Sequence, residues 1–375
     1  MKDLFLEALD LISAGGKGAL STIVSSKGSL PMSKKAKMLV LPDGKILGTV
    51  GGGCLEADVW AEARHVMETG EPTLQQFILT EKHAGENGLN CGGNVEIFTE
   101  PITSGQGEDI LQEITEIRAE RGSAVLATLV AGGDGATLCR KLLVRADGST
   151  TGTVGYPEAD AAVLEEVQEE GSIPEDLLKV IEMEVTGAEG PERIKIFLES
   201  ICPEPTLYLF GGGHVSFAIA RSAQAVGFRI VVIDDRPIFA NRERFPMASE
   251  TLTLEMETAL DHLEIDDLSY IVAVTRGHQH DKPVVEQAVK TNAAYIGMIG
   301  SRRKIVLMWK ELEAKGIPKS RLEEVHAPIG LDIGADNPDE IAVSIVAELI
   351  RIRRSRGKPT HEVRSLSASK AAATA

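Results

Sequence analysis

Residues 48–59 read GTVGGGCLEADV, which sets Cys54 directly behind three glycines and ahead of a helical pattern. A second cysteine in glycine-rich company is Cys91, within NCGGN at 90–94. Such a cysteine is open to three uses: a nucleophile, a soft ligand, or a small residue packed in a tight turn. Nucleophilic use calls for a base, and His65 on the same helical pattern lies about three turns further on. Two thiols in glycine-rich loops suit a ligand site better, because thiolates favour soft or thiophilic metal centres. Cys54 and Cys91 are therefore candidate ligands. Gly51, Gly52 and Gly53 beside the one, and Gly92 and Gly93 beside the other, offer backbone N–H groups for an anion.

The elements that must hold these residues can be read from the pattern around them. LEADVWAEARHVME (55–68) has helical spacing, with Leu55, Val59 and Val66 near one face and Gly70 as the stop, so Cys54 falls at a helix start. Upstream, KMLVLPDGKILGTVG reads as a strand, an Asp-Gly hairpin and a second strand. The same order returns from Lys141 in KLLVRADGSTTGTVGYPEADAAVLEEV, a register of 104 residues. GALSTIV pairs likewise with AVLATLV, and NVEIFTEPI with RIKIFLESI. The chain thus carries a duplicated α/β region, with copies expected over 1–105 and 106–203. In the second copy GGGCLEAD is matched by GYPEAD, which reads as two residues shorter and leaves Cys54 without a counterpart. Cys139, in TLCRKLLV, reads as part of a strand, and Cys202 as part of a linker.

A different pattern begins beyond the prolines of CPEPT. TLYLFGGGHVSFAIARSAQAVGFRIVVIDDRP gives a strand, a glycine turn, a helix, a second strand and a terminal acid. That is a Rossmann-like unit, and the parallel-sheet domain it opens is expected over 206–356. Gly211 would make the tight turn, Gly213 would let the backbone approach a phosphate beside His214, and Ser216 stands in place of a third glycine. Asp234 has the spacing of a ribose-binding acid, and Arg236 could meet a phosphorylated ribose or pair with Asp235. Two further strands end in RGHQHD and SRRK, at the sheet edge where ligands bind. His278, Arg302 and Arg303 are candidate phosphate or pterin contacts. His278, His280 and Asp281 could also be weighed as metal ligands, although their spacing in a loop is not an established one. NPDEIAVSIVAELIRIRR starts a helix capped by Asn337, with Glu340 closing a capping box.

The formal charge is −17 over 375 residues, and the seven Lys/Arg of residues 351–375 are confined to the tail, so no nucleic-acid partner is expected. The chain lacks an apolar run of membrane-spanning length and four cysteines make no disulfide framework, which suits a cytoplasmic protein with no membrane partner. Residues 357–375 read as a disordered tail.

The strings GSLPMSKKAKMLV, GTVGGGCLE, NCGG, LYLFGGGHVSFAIA, DDRPIFANRERFP, TRGHQHD, YIGMIGSRRK and HAPIGLDIGADNPDEIAVSI run from about residue 18 to 350. In this order the chain resembles the XdhC/CoxI family, accessory proteins that mature molybdenum hydroxylases such as xanthine dehydrogenase and aldehyde oxidoreductase. The resemblance implies a homodimeric, non-catalytic maturation factor. It would bind the molybdenum cofactor in its molybdopterin form, protect it while a cysteine desulfurase supplies sulfur, and deliver it to the hydroxylase. Gly51 to Cys54 and Cys91 would then belong to the cofactor region, with the Rossmann glycines holding the pterin phosphate or a nucleotide. Met32 and Ser33 depart from the family pattern, which has an arginine after the proline; Lys34, Lys35 and Lys37 could supply the charge instead. The alternative is an NAD(P)-dependent oxidoreductase built on the Rossmann unit, with Cys54 or His278 in the chemistry.

Overall fold

Duplication in the sequence becomes duplication of a sheet. The computed structural model describes residues 3–27, 33, 35–78, 93–105, 107–132, 139–169, 173–187 and 190–355. The first copy runs α1 (Leu4–Ser13), β1 (Gly18–Lys27), β2 (Lys37–Val40), β3 (Ile46–Gly48), α2 (Gly53–Thr69), β4 (Thr73–Ile78) and β5 (Asn94–Ile102). The second runs α3 (Glu108–Ala119), β6 (Ala124–Ala131), β7 (Lys141–Arg145), β8 (Thr150–Gly152), α4 (Pro157–Glu169), β9 (Leu178–Gly187) and β10 (Gly190–Ile201). Their sheets have the orders β3-β2-β1-β5-β4 and β8-β7-β6-β10-β9, and every pairing in both is antiparallel.

Each sheet buries one face under its own second helix. Leu55, Val59, Ala63 and Val66 of α2 pack on Ile23, Met38 and Ile97, and Ala159, Val163 and Val167 of α4 on Val125, Leu142 and Ile196. The first helices instead share one core: Phe5, Ala8 and Ile12 of α1 meet Ile110, Ile114 and Ile117 of α3. Both copies therefore lie inside one compact unit, Met1–Pro203.

Charges cross between the copies with the same pseudo-symmetry. Lys37 Nζ of the first copy lies 2.8 Å from Glu199 of the second, and Lys141 Nζ of the second lies 2.9 Å from Glu100 of the first. Each ammonium also donates to a threonine of its own copy, Thr22 or Thr128, at 3.2 Å. Lys35 donates to Ser200 Oγ at 3.3 Å and to the carbonyl of Glu175, and its burial holds its pKa below the usual lysine range. Lys35 and Lys37 are thus engaged inside the unit rather than offered to an outside anion, and Lys34 lies outside the described residues.

The second unit, Glu204–Ala375, is a parallel sheet of order β13-β12-β11-β14-β15. Its strands are β11 (Thr206–Phe210), β12 (Arg229–Asp234), β13 (Glu250–Thr253), β14 (Ser269–Ala273) and β15 (Tyr295–Met298). Near-continuous apolar runs make β11, β12, β14 and β15, because both of their faces are covered, whereas the edge strand β13 is the polar, partly exposed ETLT. α5 (His214–Ala225) and α9 (Pro338–Ser355) pack on one face, while α6 (His278–Ala288), α7 (Arg302–Ala314) and α8 (Lys319–Glu323) lie over the other. The strand order is that of a Rossmann domain, with the direction of winding reversing between β11 and β14. Asn337 caps α9 by accepting the Glu340 N–H at 3.0 Å. The Glu340 carboxylate reaches the Asp336 N–H at 2.8 Å, one residue before the position that a capping box prescribes. The tail expected at 357–375 lies outside the described residues.

Candidate functional site

Cys54 is the second residue of α2, and its side chain is exposed. Packing into a tight turn therefore does not account for it. The loop before it is held by a short internal network: Thr49 donates to Glu56, the Gly51 N–H donates to Thr49 Oγ1 at 3.2 Å, and the Gly52 N–H donates to Glu56 Oε2 at 3.1 Å. Gly52 and Gly53 have φ of 72° and 65°, a region that side chains strain to enter. The chain's own Glu56 carboxylate thus takes part of the N–H array read as an anion nest. The amides of Gly53 and Cys54 remain at the first turn, where a helix supplies no acceptor.

The second copy shows what this loop becomes without the cysteine. Thr153 donates to Asp160, the Val154 N–H donates to Asp160 at 2.9 Å, and the Gly155 N–H donates to Thr153 at 2.8 Å. Asp160 thus corresponds to Glu56, and the buried Ala159, Val163 and Val167 to Leu55, Val59 and Ala63, all at the 104-residue spacing. The two-residue gap expected from the sequence does not exist, and Cys54 has a counterpart, Glu158. The shared Glu-Ala-Asp string misled because it is displaced by two residues, whereas the buried stripe fixes the helix phase. Glu158 accepts the Thr186 N–H of β9 at 2.7 Å, and Tyr156, at the position of Gly52, donates to Glu192 of β10 at 2.9 Å.

Cys91 and Gly92 lie outside the described residues, and Gly93 is buried just before β5. Cys139 is not in a strand: it precedes β7 with φ of 67°, and its burial pushes the thiol pKa up. Cys202 is half-buried, and burial raises its thiol as well. Among the described residues no group of three or more His, Cys, Asp or Glu side chains is placed to hold a metal ion.

In the second unit the glycine turn has two distinct members. Gly211 has φ of 108°, and a Cβ on it would stand 2.5 Å from the Val274 carbonyl, so β11 and β14 could not close with any other residue. Gly213 has φ of −74°, and nothing lies within 4 Å of a Cβ placed on it. The fold does not require a glycine at 213. Ser216 is fully buried on the inner face of α5, as its size allows, and His214 is exposed.

Asp234 is turned inward. It accepts the Gly212 N–H at 2.8 Å, the Arg236 N–H at 3.0 Å and the Arg236 guanidinium at 2.9 and 3.1 Å. Burial opposes its ionisation, but Arg236 and the two amides outweigh that and hold the carboxyl below its usual range. Arg236 in turn stacks over Phe239 at 3.8 Å, and the Phe239 carbonyl lies 2.3 Å from where a Gly212 Cβ would be. The acid has the Rossmann spacing, yet its oxygens are spent within the chain.

A cavity of about 170 Å³ opens at the carboxyl ends of β14 and β15. Thr275, Gly277, Met298, Ser301, Lys304 and Met308 line it. Asp281 is buried in the first turn of α6 and accepts the Thr275 N–H and hydroxyl, at 3.0 and 2.6 Å. His280 Nε2 accepts from Arg276 at 2.9 Å. Residues 278–281 are therefore helical rather than loop, and positions two apart on a helix do not share a face. His278 opens α6. Arg302 and Arg303 open α7, but the residues of that segment that reach the cavity are Ser301 and Lys304. Those two were missed in the sequence; the buried stripe Ile305, Met308 and Leu312 carries the helix phase that points to them.

The fold and the two glycine turns define a two-unit α/β protein with a thiol-bearing loop on a duplicated antiparallel scaffold and a Rossmann-type second unit. The family profile described as XdhC and CoxI family matches residues 11–77 and 117–173, and the XdhC Rossmann domain profile matches residues 207–349. The chain belongs to the XdhC and CoxI family. It is 27% identical over 348 residues to a protein of Bacillus subtilis described as a probable xanthine dehydrogenase component, covering 90% of this chain and 94% of that one. It is 23% identical over 352 residues to the "Molybdenum cofactor insertion chaperone PaoD" of Escherichia coli, covering 92% and 86% respectively. The fold matches, with a TM-score of 0.75 and 23% identity, the crystal structure of a protein described as a xanthine dehydrogenase from Bacillus halodurans, over 94% of this chain and 97% of that one. No helix among the described residues is long and apolar enough to cross a membrane.

Proposed function

We propose that the chain is a maturation factor that binds the molybdenum cofactor in its molybdopterin form, shields it while a cysteine desulfurase supplies the terminal sulfur, and passes it to a molybdenum hydroxylase. Cys54 carries this reading: one copy of a duplicated scaffold exposes a thiol where the other has Glu158. A thiol is a soft donor suited to a molybdenum or sulfur centre, and the Gly53 and Cys54 amides suit an anionic group beside it. The bound cofactor would supply the molybdenum–sulfur chemistry of the recipient, and the chain's own part is to hold and cover it.

The second copy also supports taking Cys54 with Cys91. Glu158 bonds to β9 and Tyr156 to β10, the two strands of one hairpin, and in the first copy the connection between β4 and β5 carries Cys91 and Gly92. In the second unit, the cavity bordered by Ser301 and Lys304 suits a phosphorylated group, and the steric freedom at Gly213 leaves room for close backbone approach. A cytoplasmic homodimer is part of this reading, as the family resemblance implies. Similarity to a protein named as a molybdenum cofactor insertion chaperone supports the reading.

Reconstitution of a recipient hydroxylase tests it. Cofactor-free enzyme, cysteine desulfurase and cofactor should give active, sulfurated enzyme faster with this protein than without it, and Cys54→Ala should remove the gain. Equal activation by the Cys54→Ala protein would overturn the assignment of Cys54.

A further inference from the structure

The outer face of α7 has a charge pattern that the fold itself does not need. Ile305, Met308 and Leu312 form its buried stripe. Positions 302, 303, 306, 307 and 310 fall on the opposite side, within an arc of about 140° at 100° per residue. They are Arg302, Arg303, Val306, Leu307 and Lys310, all exposed, the two aliphatics at 54% each, and the exposed Glu313 falls in the same arc as its one acid. Lys304 adds a third cation to the first turn, which has no acidic residue, and Ser301 makes no side-chain capping bond. Cations at a helix N-terminus work against its dipole. None of the ion pairs among the described residues involves Arg302, Arg303, Lys304 or Lys310, although the chain as a whole carries −17.

From this we infer that the outward face of α7 docks an acidic, aliphatic surface of a different protein, with Val306 and Leu307 as its apolar centre and Arg302, Arg303 and Lys310 as its charged rim. A symmetric contact with a second copy would bring together two faces that each carry three cations against the single acid Glu313, and so a net positive charge on both sides. A bilayer offers anions, but two aliphatic side chains without an aromatic make a small apolar footing, and the acidic chain is repelled by an anionic membrane. The face also starts at the rim of the cavity, since Ser301 and Lys304 of the same segment line it. A partner seated there would sit beside whatever that cavity holds. The inference rests on the reading above, in which the partner is the recipient hydroxylase.

The test is binding of the full chain to purified, cofactor-free hydroxylase by biolayer interferometry at low and high salt. Arg302→Glu/Arg303→Glu should still fold, because acids in the first turn complement the helix dipole, and circular dichroism checks this. It should bind about tenfold or more weakly and with less salt dependence. Leu307→Ser should weaken binding without changing the salt dependence, and Lys17→Glu/Lys290→Glu, two exposed charges elsewhere, should leave it unchanged. Wild-type protein that fails to bind the hydroxylase overturns both the docking face and the hand-over. Undiminished binding by both α7 variants overturns the docking face alone. Binding of the wild type to phosphatidylglycerol vesicles that the double arginine variant lacks, while that variant still binds the hydroxylase, would make the occupant a lipid surface and overturn it too. So would a change in sedimenting mass of the chain alone, which would make the occupant a second copy. Loss of bound molybdenum by that variant, with hydroxylase binding intact, would return the arginines to cofactor binding and contradict the inference.

Discussion

Arg276 Nη2 lies 2.7 Å from Asp235 Oδ2, which joins the loop after β14 to the end of β12 across the glycine turn of β11. These strands flank the point where a Rossmann sheet receives a dinucleotide. On the same side, Phe239 packs against Gly212, Arg244 donates to the Gly212 carbonyl at 2.8 Å, and Asp234 takes the Gly212 N–H. The groups that would meet the ribose and pyrophosphate are joined to each other instead.

NADH should therefore bind no tighter than about the millimolar range. Titration followed by fluorescence or calorimetry checks this. Micromolar binding that is abolished by Gly213→Val would restore the oxidoreductase alternative.

The crossed pairs Lys37–Glu199 and Lys141–Glu100 tie the two copies together with nearly buried charge, their side chains being 8–12% exposed. Removing one partner should cost about 3 kcal/mol, because the other charge is left uncompensated, whereas removing both should recover much of the loss. Denaturant unfolding of Lys37→Met, Glu199→Leu and the double variant measures the coupling, and the Lys141–Glu100 cycle should give a similar value. Additive losses would contradict the pairing.

Glu348 of α9 is buried and accepts from Tyr295 Oη and the Gly330 N–H, each at 2.8 Å, with His326 Nδ1 at 3.3 Å. Burial opposes its charge, but His326, the Gly330 amide and Tyr295 together hold its pKa below the usual glutamate range. A depressed carboxyl favours the folded state above its unfolded pKa, and that contribution fades as pH falls through the folded value. Glu348→Gln should thus lower stability at pH 7 by about 2 kcal/mol, and the gap should close on acidification below about pH 4.5. A gap independent of pH would contradict the network.

The sequence was most legible where a local pattern forces the backbone. Asp-Gly hairpins and the Gly70 stop each act within a few residues, and the duplicated sheets follow from them; GTVG reads as strand, but β3 and β8 end at its first glycine and its other three residues are loop. It was least legible where a partner arrives from elsewhere in the chain. Spacing put Asp234 at the end of β12, but not the Arg236 guanidinium and Gly212 amide that claim its oxygens. Matching letters misaligned the Cys54 loop, because the constraint there is the 3.6-residue stripe of Leu55, Val59 and Ala63 and not the Glu-Ala-Asp string. The same neglect of helix phase selected Arg302 and Arg303 over Ser301 and Lys304. Cys139 sat in an apolar run, yet its positive φ ends that run before β7.

The central claim is that Cys54 holds a molybdenum cofactor, and the molybdenum and pterin content of the purified protein tests it most directly. Wild-type protein expressed in a cofactor-producing cell should copurify with both, and Cys54→Ala, whose exposed position leaves the fold intact, should carry much less of each. Equal molybdenum in the two proteins, or none in the wild type, would contradict the account.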